Sequence, residues 1–256
     1  MVALPLTAGP SGDRAPRARL ALLALALLLV LTGAASLAVG ASGVSPLQVL
    51  GDWLSGQGVG LRERVILADI RLPRLLTGAM VGASLAVSGA VMQGLFRNQL
   101  ADPGLIGVSS GAGLGAICAI VLGGMLPFGG THLVPVAAFI GGWGVTMILY
   151  SVATRARRTS VATMLLAGIA LAALAGAVQG VLIARADDAQ LRDLTFWGLG
   201  SLAGASWAKL AVAAPVMLAG LLAAPFLARA LNALSLGEAA AMHLGIRVQR
   251  VKSLAV

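Results

Sequence analysis

The residues that could do chemistry stand apart from one another in this sequence. Lysine occurs at Lys209 and Lys252, which follow Ala208 and Val251, so the Gly-Lys-Ser/Thr turn that holds nucleotide phosphates is missing. His132 and His243 stand alone, without ligand spacing, and read as loop or interface residues. Cys118 sits inside an apolar run with no second thiol, and reads as a small packing residue. No nucleophile or acid–base pair can be assembled, so no catalytic residue, metal site or cofactor site is expected. What remains is non-covalent: an arginine cluster at Arg62, Arg64, Arg71 and Arg74, and Ser235 with Glu238 at the spacing of a capping box.

These groups are set among apolar runs. Of 256 residues, 59% are apolar and only 11% charged, and the mean hydropathy is +0.95. A soluble domain carries about 25% charged residues. With so few, the chain cannot clothe a water-facing surface, whereas a surface facing membrane lipid needs no such clothing. The net charge of +9 comes from basic residues lying between apolar runs. They form no long stripe, so they read as topology signals, and no nucleic-acid partner is expected.

A spanning helix needs about 20 mainly apolar residues. Uncharged intervals of that size run over residues 20–43, 75–96, 103–154, 159–184 and 210–228. The third is long enough for two helices, with a turn at the Gly- and Pro-rich residues 123–132. The sequence therefore predicts an all-α, polytopic membrane bundle with six complete spans, and 251–256 reads as the start of a seventh. Arg14, Arg17 and Arg19 precede the first run. A cleaved signal has an apolar core of roughly 7–15 residues, and no charge intervenes between Arg19 and Asp52, so this run reads as a membrane helix. Lys and Arg in the loops favour a cytoplasmic N-terminus. Residues 1–19 are then a cytoplasmic tail and 20–256 the transmembrane domain. Most exceptions to this orientation are the Arg62–Arg74 cluster, which falls outside.

Small residues recur at four-residue spacing in Gly168, Ala172, Gly176 and Gly180, in Gly78 and Gly82, and in Gly111 and Gly115. Such stripes let helix backbones approach closely in lipid. Residues 195–207, bracketed by Trp197 and Trp207, are too short to cross and read as a re-entrant or surface helix. Residues 235–245 read as a short helix outside the membrane. Ser235 and Glu238 would cap its start, Gly245 would close its end, and Leu236, Ala240 and Leu244 would share a face. No charged residue lies inside the six expected spans. Intramembrane charges mark ion and proton coupling, so energy is expected from a separate soluble partner.

The stretch from Arg71 to Gly111, RLPRLLTGAMVGASLAVSGAVMQGLFRNQLADPGLIGVSSG, resembles the FecCD family of permeases in ABC importers for ferric siderophores, haem and cobalamin. Leu166-Ala-Gly168, Phe196-Trp-Gly198, Gly200-Ser201 and the run Leu231 to Glu238 with Leu244-Gly245 match in order. The resemblance implies a ten-helix subunit that pairs with a second permease subunit. It also implies an ABC ATPase at each subunit and an extracytoplasmic binding protein delivering the chelate across a bacterial cytoplasmic membrane. This chain ends as a seventh span begins, and so resembles the N-terminal two-thirds of such a permease.

The resemblance implies roles for individual residues. Arg71 and Arg74 match arginines that dock the binding protein. Asn98 and Leu100 match part of a cytoplasmic gate, with Gln99 where the family has proline, and Thr159 and Thr163 occupy the place of a second gate. Leu231, Ser235, Leu236, Gly237, Glu238, Leu244 and Gly245 belong to the segment that couples to the ATPase. The default cargo is a ferric siderophore, with haem and cobalamin open. The rival readings are an ion-coupled secondary transporter or channel, and a permease fragment without transport function.

Overall fold

The structure is a computed structural model of the chain and describes residues 15–40, 42–55, 60–125, 132–155 and 158–256. Residues 1–14 of the expected tail and 126–131 of the expected turn lie outside the described residues. The chain divides into two compact units, one of residues 1–77 with 205–210 and the other of 78–204 with 211–256.

The expected helices form because long apolar runs can satisfy their backbone in lipid only by closing their own hydrogen bonds. They are α1 (Ala15–Ala38), α4 (Leu72–Phe96), α5 (Val108–Leu122), α6 (Leu133–Ala153), α7 (Val161–Ile183) and α9 (Trp207–Ser235). All but α5 are long and apolar enough to cross a membrane, and α5, at 15 residues, is the short one. Their large apolar side chains are mostly exposed: Leu22, Phe139, Leu166 and Phe226 each show more than half their surface. That surface suits hydrocarbon.

In the first unit, α1 is followed by a short helix, α2 (Pro46–Leu54), that the sequence reading did not anticipate. The arginine cluster is itself helical. A single turn, α3 (Leu61–Arg64), passes through a π-helical turn (Val65–Arg71) into α4, giving one apolar-rich helix from Leu61 to Phe96 in place of a span beginning at Leu75. Pro73 gives a physical reason for the π turn. Its ring lacks an N–H and crowds the carbonyl four residues back, and a wider turn relieves that crowding. Here the Leu72 N–H reaches Leu67 O, and Trp207 Nε1–H donates to Ala68 O at 2.8 Å.

In the second unit, α5 packs against α6 and α7. The closest approach is glycine on backbone. A Cβ on Gly115 would run into the Ala137 carbonyl, and one on Gly141 into that of Gly111. The small-residue stripe therefore acts on α5, whereas Gly176 and Gly180 of α7 face open space. Gln179 of α7 donates to Ser110 O of α5 at 3.0 Å, so a polar side chain joins the same packing.

The expected surface helix lies earlier than residues 195–207. It is α8 (Asp188–Leu199), started by a capping box in which Asp187 and Gln190 satisfy each other's backbone amides. Gly200, at φ 71°, ends it, and Trp207 begins α9. A two-residue antiparallel ladder, β1 (Thr154–Arg155) with β2 (Arg158–Thr159), closes the α6–α7 turn. Two short helices follow α9: α10 (Glu238–His243) and α11 (Val248–Ala255). The main buried cluster of this unit gathers Met92, Leu95 and Phe96 with Leu149, Met164, Leu231, Leu234, Ala241, Val248 and Val251. It draws on the end of α4, the α6–α7 turn, the end of α9, and both short helices.

Substituting Gly115 by valine should cost about 3 kcal/mol or more, because a backbone carbonyl cannot move aside as a side chain can. Gly144→Val, where nothing lies within 4 Å, is the control. Thermal unfolding in detergent should distinguish the two, and equal midpoints would contradict this packing.

Candidate functional site

In the first unit the site centres on Arg71. It is 8% exposed, and its guanidinium donates to the carbonyls of Leu37, Ala38 and Val44 and to Ser42 Oγ, the last two at 3.0 and 2.8 Å. The last carbonyls of a helix have no intrahelical partner and carry the negative end of its dipole. A buried cation that bonds them closes α1 from outside its own chain segment. Gly40 makes room for it, since a Cβ there would meet Arg71 Nη2 at 2.6 Å. Arg74 is exposed at the rim of a cleft of about 400 Å³ lined by Ser36, Val39, Ile66 and Ile70. Of the two arginines expected to dock a partner, one is occupied internally and the other is open.

In the second unit, α4 ends at a left-handed residue. Arg97, at φ 51°, is the one non-glycine residue with positive φ among those described. Its N–H reaches Gly94 O and that of Asn98 reaches Gln93 O, the pattern that closes a helix end. Asn98 then stiffens the turn: its Oδ1 accepts from the Leu100 N–H at 2.9 Å and its carbonyl from Ala101 N–H at 3.1 Å. That local bonding supplies order where Gln99 stands instead of proline. Leu100 is 86% exposed.

Thr159 is buried and Thr163 exposed. Ser160 caps α7, its Oγ accepting from the Thr163 N–H at 3.3 Å. The segment expected to cap at Ser235 is built differently. Ser235 is the last residue of α9, and its Oγ donates to Asn232 O at 2.6 Å. Gly237, at φ 109°, precedes α10 without any side-chain cap. The Ser235–Glu238 capping box therefore does not form, because α9 runs on through the serine. Leu236 lies before α10 and not on it. The end of α10 does match expectation: Gly245, at φ 79°, allows its own N–H to reach Met242 O and that of Ile246 to reach Ala241 O. Leu231 is a core residue packed against Gly94, whereas Leu236, Met242 and Leu244 are exposed.

Glu238 is held by a lysine. Lys252 Nζ lies 2.8 Å from Glu238 Oε1 and donates to Thr159 O, also at 2.8 Å. Thr159 N–H donates to Gln249 Oε1 at 2.9 Å, and the Thr154 and Thr159 hydroxyls are 2.9 Å apart. Lys252 is 2% exposed, so the helix that holds the expected start of a seventh span turns its lysine into the core. Sequence reasoning missed Lys252 and Gln249. The signal was periodicity: Val248, Val251 and Lys252 share one helical face, which puts a cation on the apolar side. Among the described residues no group of His, Cys, Asp or Glu is placed to hold a metal ion.

The described residues define a multi-pass α-helical membrane protein whose short helices are tied to its spans by buried polar contacts. Residues 27–256 match the FecCD transport family, and the chain belongs to it. It is similar to the cobalamin import system permease protein BtuC of Halobacterium salinarum, 43% identical over 197 residues that cover 77% of this chain and 52% of that one. The hemin transport system permease protein HmuU of Yersinia pestis is 45% identical over 185 residues, 72% of this chain and 55% of that one. For the vitamin B12 import system permease protein BtuC of Salmonella typhi the figures are 40% over 238 residues, 92% and 68%. A solved structure described as an inward-facing ABC transporter of metal-chelate type aligns with TM-score 0.74 and 32% identity, over 91% of this chain and 70% of that one. The chain spans about half the length of the Halobacterium and Yersinia relatives.

Replacing Arg71 by alanine should destabilise the protein by about 2–3 kcal/mol, the range for hydrogen bonds to a charged group. Arg74→Ala should leave stability within about 0.5 kcal/mol, as an exposed substitution does. Thermal unfolding of both variants in one detergent checks this, and a larger loss for Arg74 would overturn the assignment.

Proposed function

We propose that this chain is a membrane-spanning permease subunit of a binding-protein-dependent ABC importer, with residues 20–256 as its transmembrane domain and 1–19 as a cytoplasmic tail. The observation that carries this reading is the form of α10. It follows a glycine hinge, is closed by Gly245, and leaves Leu236, Met242 and Leu244 exposed while Glu238 is turned to Lys252. A short helix that is fixed on one side and apolar on the other suits docking in a groove of a soluble ATPase, which hydrolyses ATP in this chain's stead. Leu236, Leu244 and Gly245 make that contact, while Ser235, Gly237 and Glu238 set the helix angle and Leu231 anchors it in the core.

Asn98 and Leu100, with Thr159 and Thr163, gate the inner end of a pathway shared with a second permease subunit. The N-terminus is cytoplasmic and the membrane is the cytoplasmic one. Arg74 faces an extracytoplasmic binding protein, and Arg71 keeps the end of α1 in place beside it. The names of the relatives favour cobalamin or haem as cargo, with a ferric siderophore as the further member of the same class of bulky metal chelates. The cargo crosses unchanged.

Co-expressed with its ATPase, a Leu236→Asp/Leu244→Asp variant should still insert in the membrane but lose at least about tenfold in ATPase retention, about 1.4 kcal/mol of binding. Retention at the wild-type level would remove the assignment of α10. Arg74→Glu should reduce binding-protein association without affecting ATPase retention. An ion-coupled carrier would instead lose uptake to an ionophore at constant ATP, a result that would end the importer reading.

A further inference from the structure

Lys252 is a buried cation to which the transport reading assigns no role beyond holding Glu238. Its stem passes through the apolar core and its ammonium is shared between two acceptors on different elements: Glu238 Oε1, the first residue of α10, and Thr159 O, in the ladder that closes the α6–α7 turn. Gln249, three residues earlier on α11, takes the Thr159 N–H, so both backbone groups of Thr159 are held by one helix.

A buried ion pair is generally no more stabilising than well-packed apolar residues of the same volume, because desolvation offsets the attraction. A methionine would fill the space of Lys252 equally well. What it could not supply is a directional link between three elements. The other attachments of α10 are softer or local: it meets α9 through Gly237, at φ 109°, where only backbone turn bonds join the two helices. Force applied to α10 would rotate it about Gly237 and be carried by Lys252 to Thr159.

We propose that Lys252 is a positioning residue that makes α10, α11 and the α6–α7 turn move as one piece, so that displacement of α10 reaches the Thr159–Thr163 segment. This rests on the reading of α10 as the ATPase-facing helix, but the mechanical link does not, and the test separates them. Amide hydrogen exchange is measured on the full chain carrying Lys252→Met, Lys252→Arg or the exchange Glu238→Lys/Lys252→Glu. The same variants are reconstituted with ATPase and binding protein, and cyanocobalamin and haemin taken up per ATP hydrolysed are counted.

With Lys252→Met, exchange at Thr159 and the first turn of α7 should rise about tenfold, and cargo moved per ATP should fall by a similar factor while ATPase retention persists. Lys252→Arg should restore both. The charge exchange should restore neither, because a carboxylate at 252 cannot donate to Thr159 O. Unchanged exchange and unchanged coupling in Lys252→Met would overturn the proposal, as would full rescue by the charge exchange, which would reduce the pair to a simple ion pair. If the unmodified chain takes up neither probe in an ATP-dependent way, cobalamin and haem are excluded as its cargo, and the exchange data still decide the link.

Discussion

Hydrocarbon offers no hydrogen-bond partner, and in this chain that constraint falls hardest on the helix ends. Each helix leaves unpaired amides at its start and unpaired carbonyls at its finish. The described ends close them by different means. α1 borrows a guanidinium from Arg71, α4 turns through a left-handed arginine, α7 and α8 use serine and aspartate caps, and α10 ends on a left-handed glycine. Arg71, Asn98, Thr163 and Gly245 lie at or next to these closures. The reason is physical, since an apolar helix needs polar groups where it stops.

The two buried cations follow from the same constraint. Arg71 and Lys252 both give up hydration, and both spend their donors largely on carbonyl oxygens of other segments. Arginine suits the first site because its planar fork can reach several carbonyls at once. Lysine suits the second because a point charge on a long stem can pass through a packed core to an anion at its edge. In each case the cation joins elements far apart in sequence, as apolar packing alone could not do with the same direction.

The packing of the second unit is unevenly distributed. The dense core of the second unit lies where α4, the α6–α7 turn, α9, α10 and α11 meet, whereas long stretches of the spans expose their apolar side chains. Backbone-to-backbone contact between α5 and α6 gives one stiff pair.

The six apolar runs, the helix class and the position of most ends were legible in the residues, because length and hydropathy alone decide what can cross a bilayer. The closing role of Gly245 was legible too, since a glycine after an amphipathic turn has few other uses. Capping-box spacing occurs at Asp187–Gln190 and at Ser235–Glu238, and of these two only the first forms. A local motif cannot tell whether the preceding helix will run through it, and α9 does so because its apolar face continues to Leu234 in the core. Tertiary structure likewise decided which arginine is buried and which is open, and what Glu238 touches. Those outcomes depend on segments 14 to 93 residues away, a range at which periodicity and spacing carry no information.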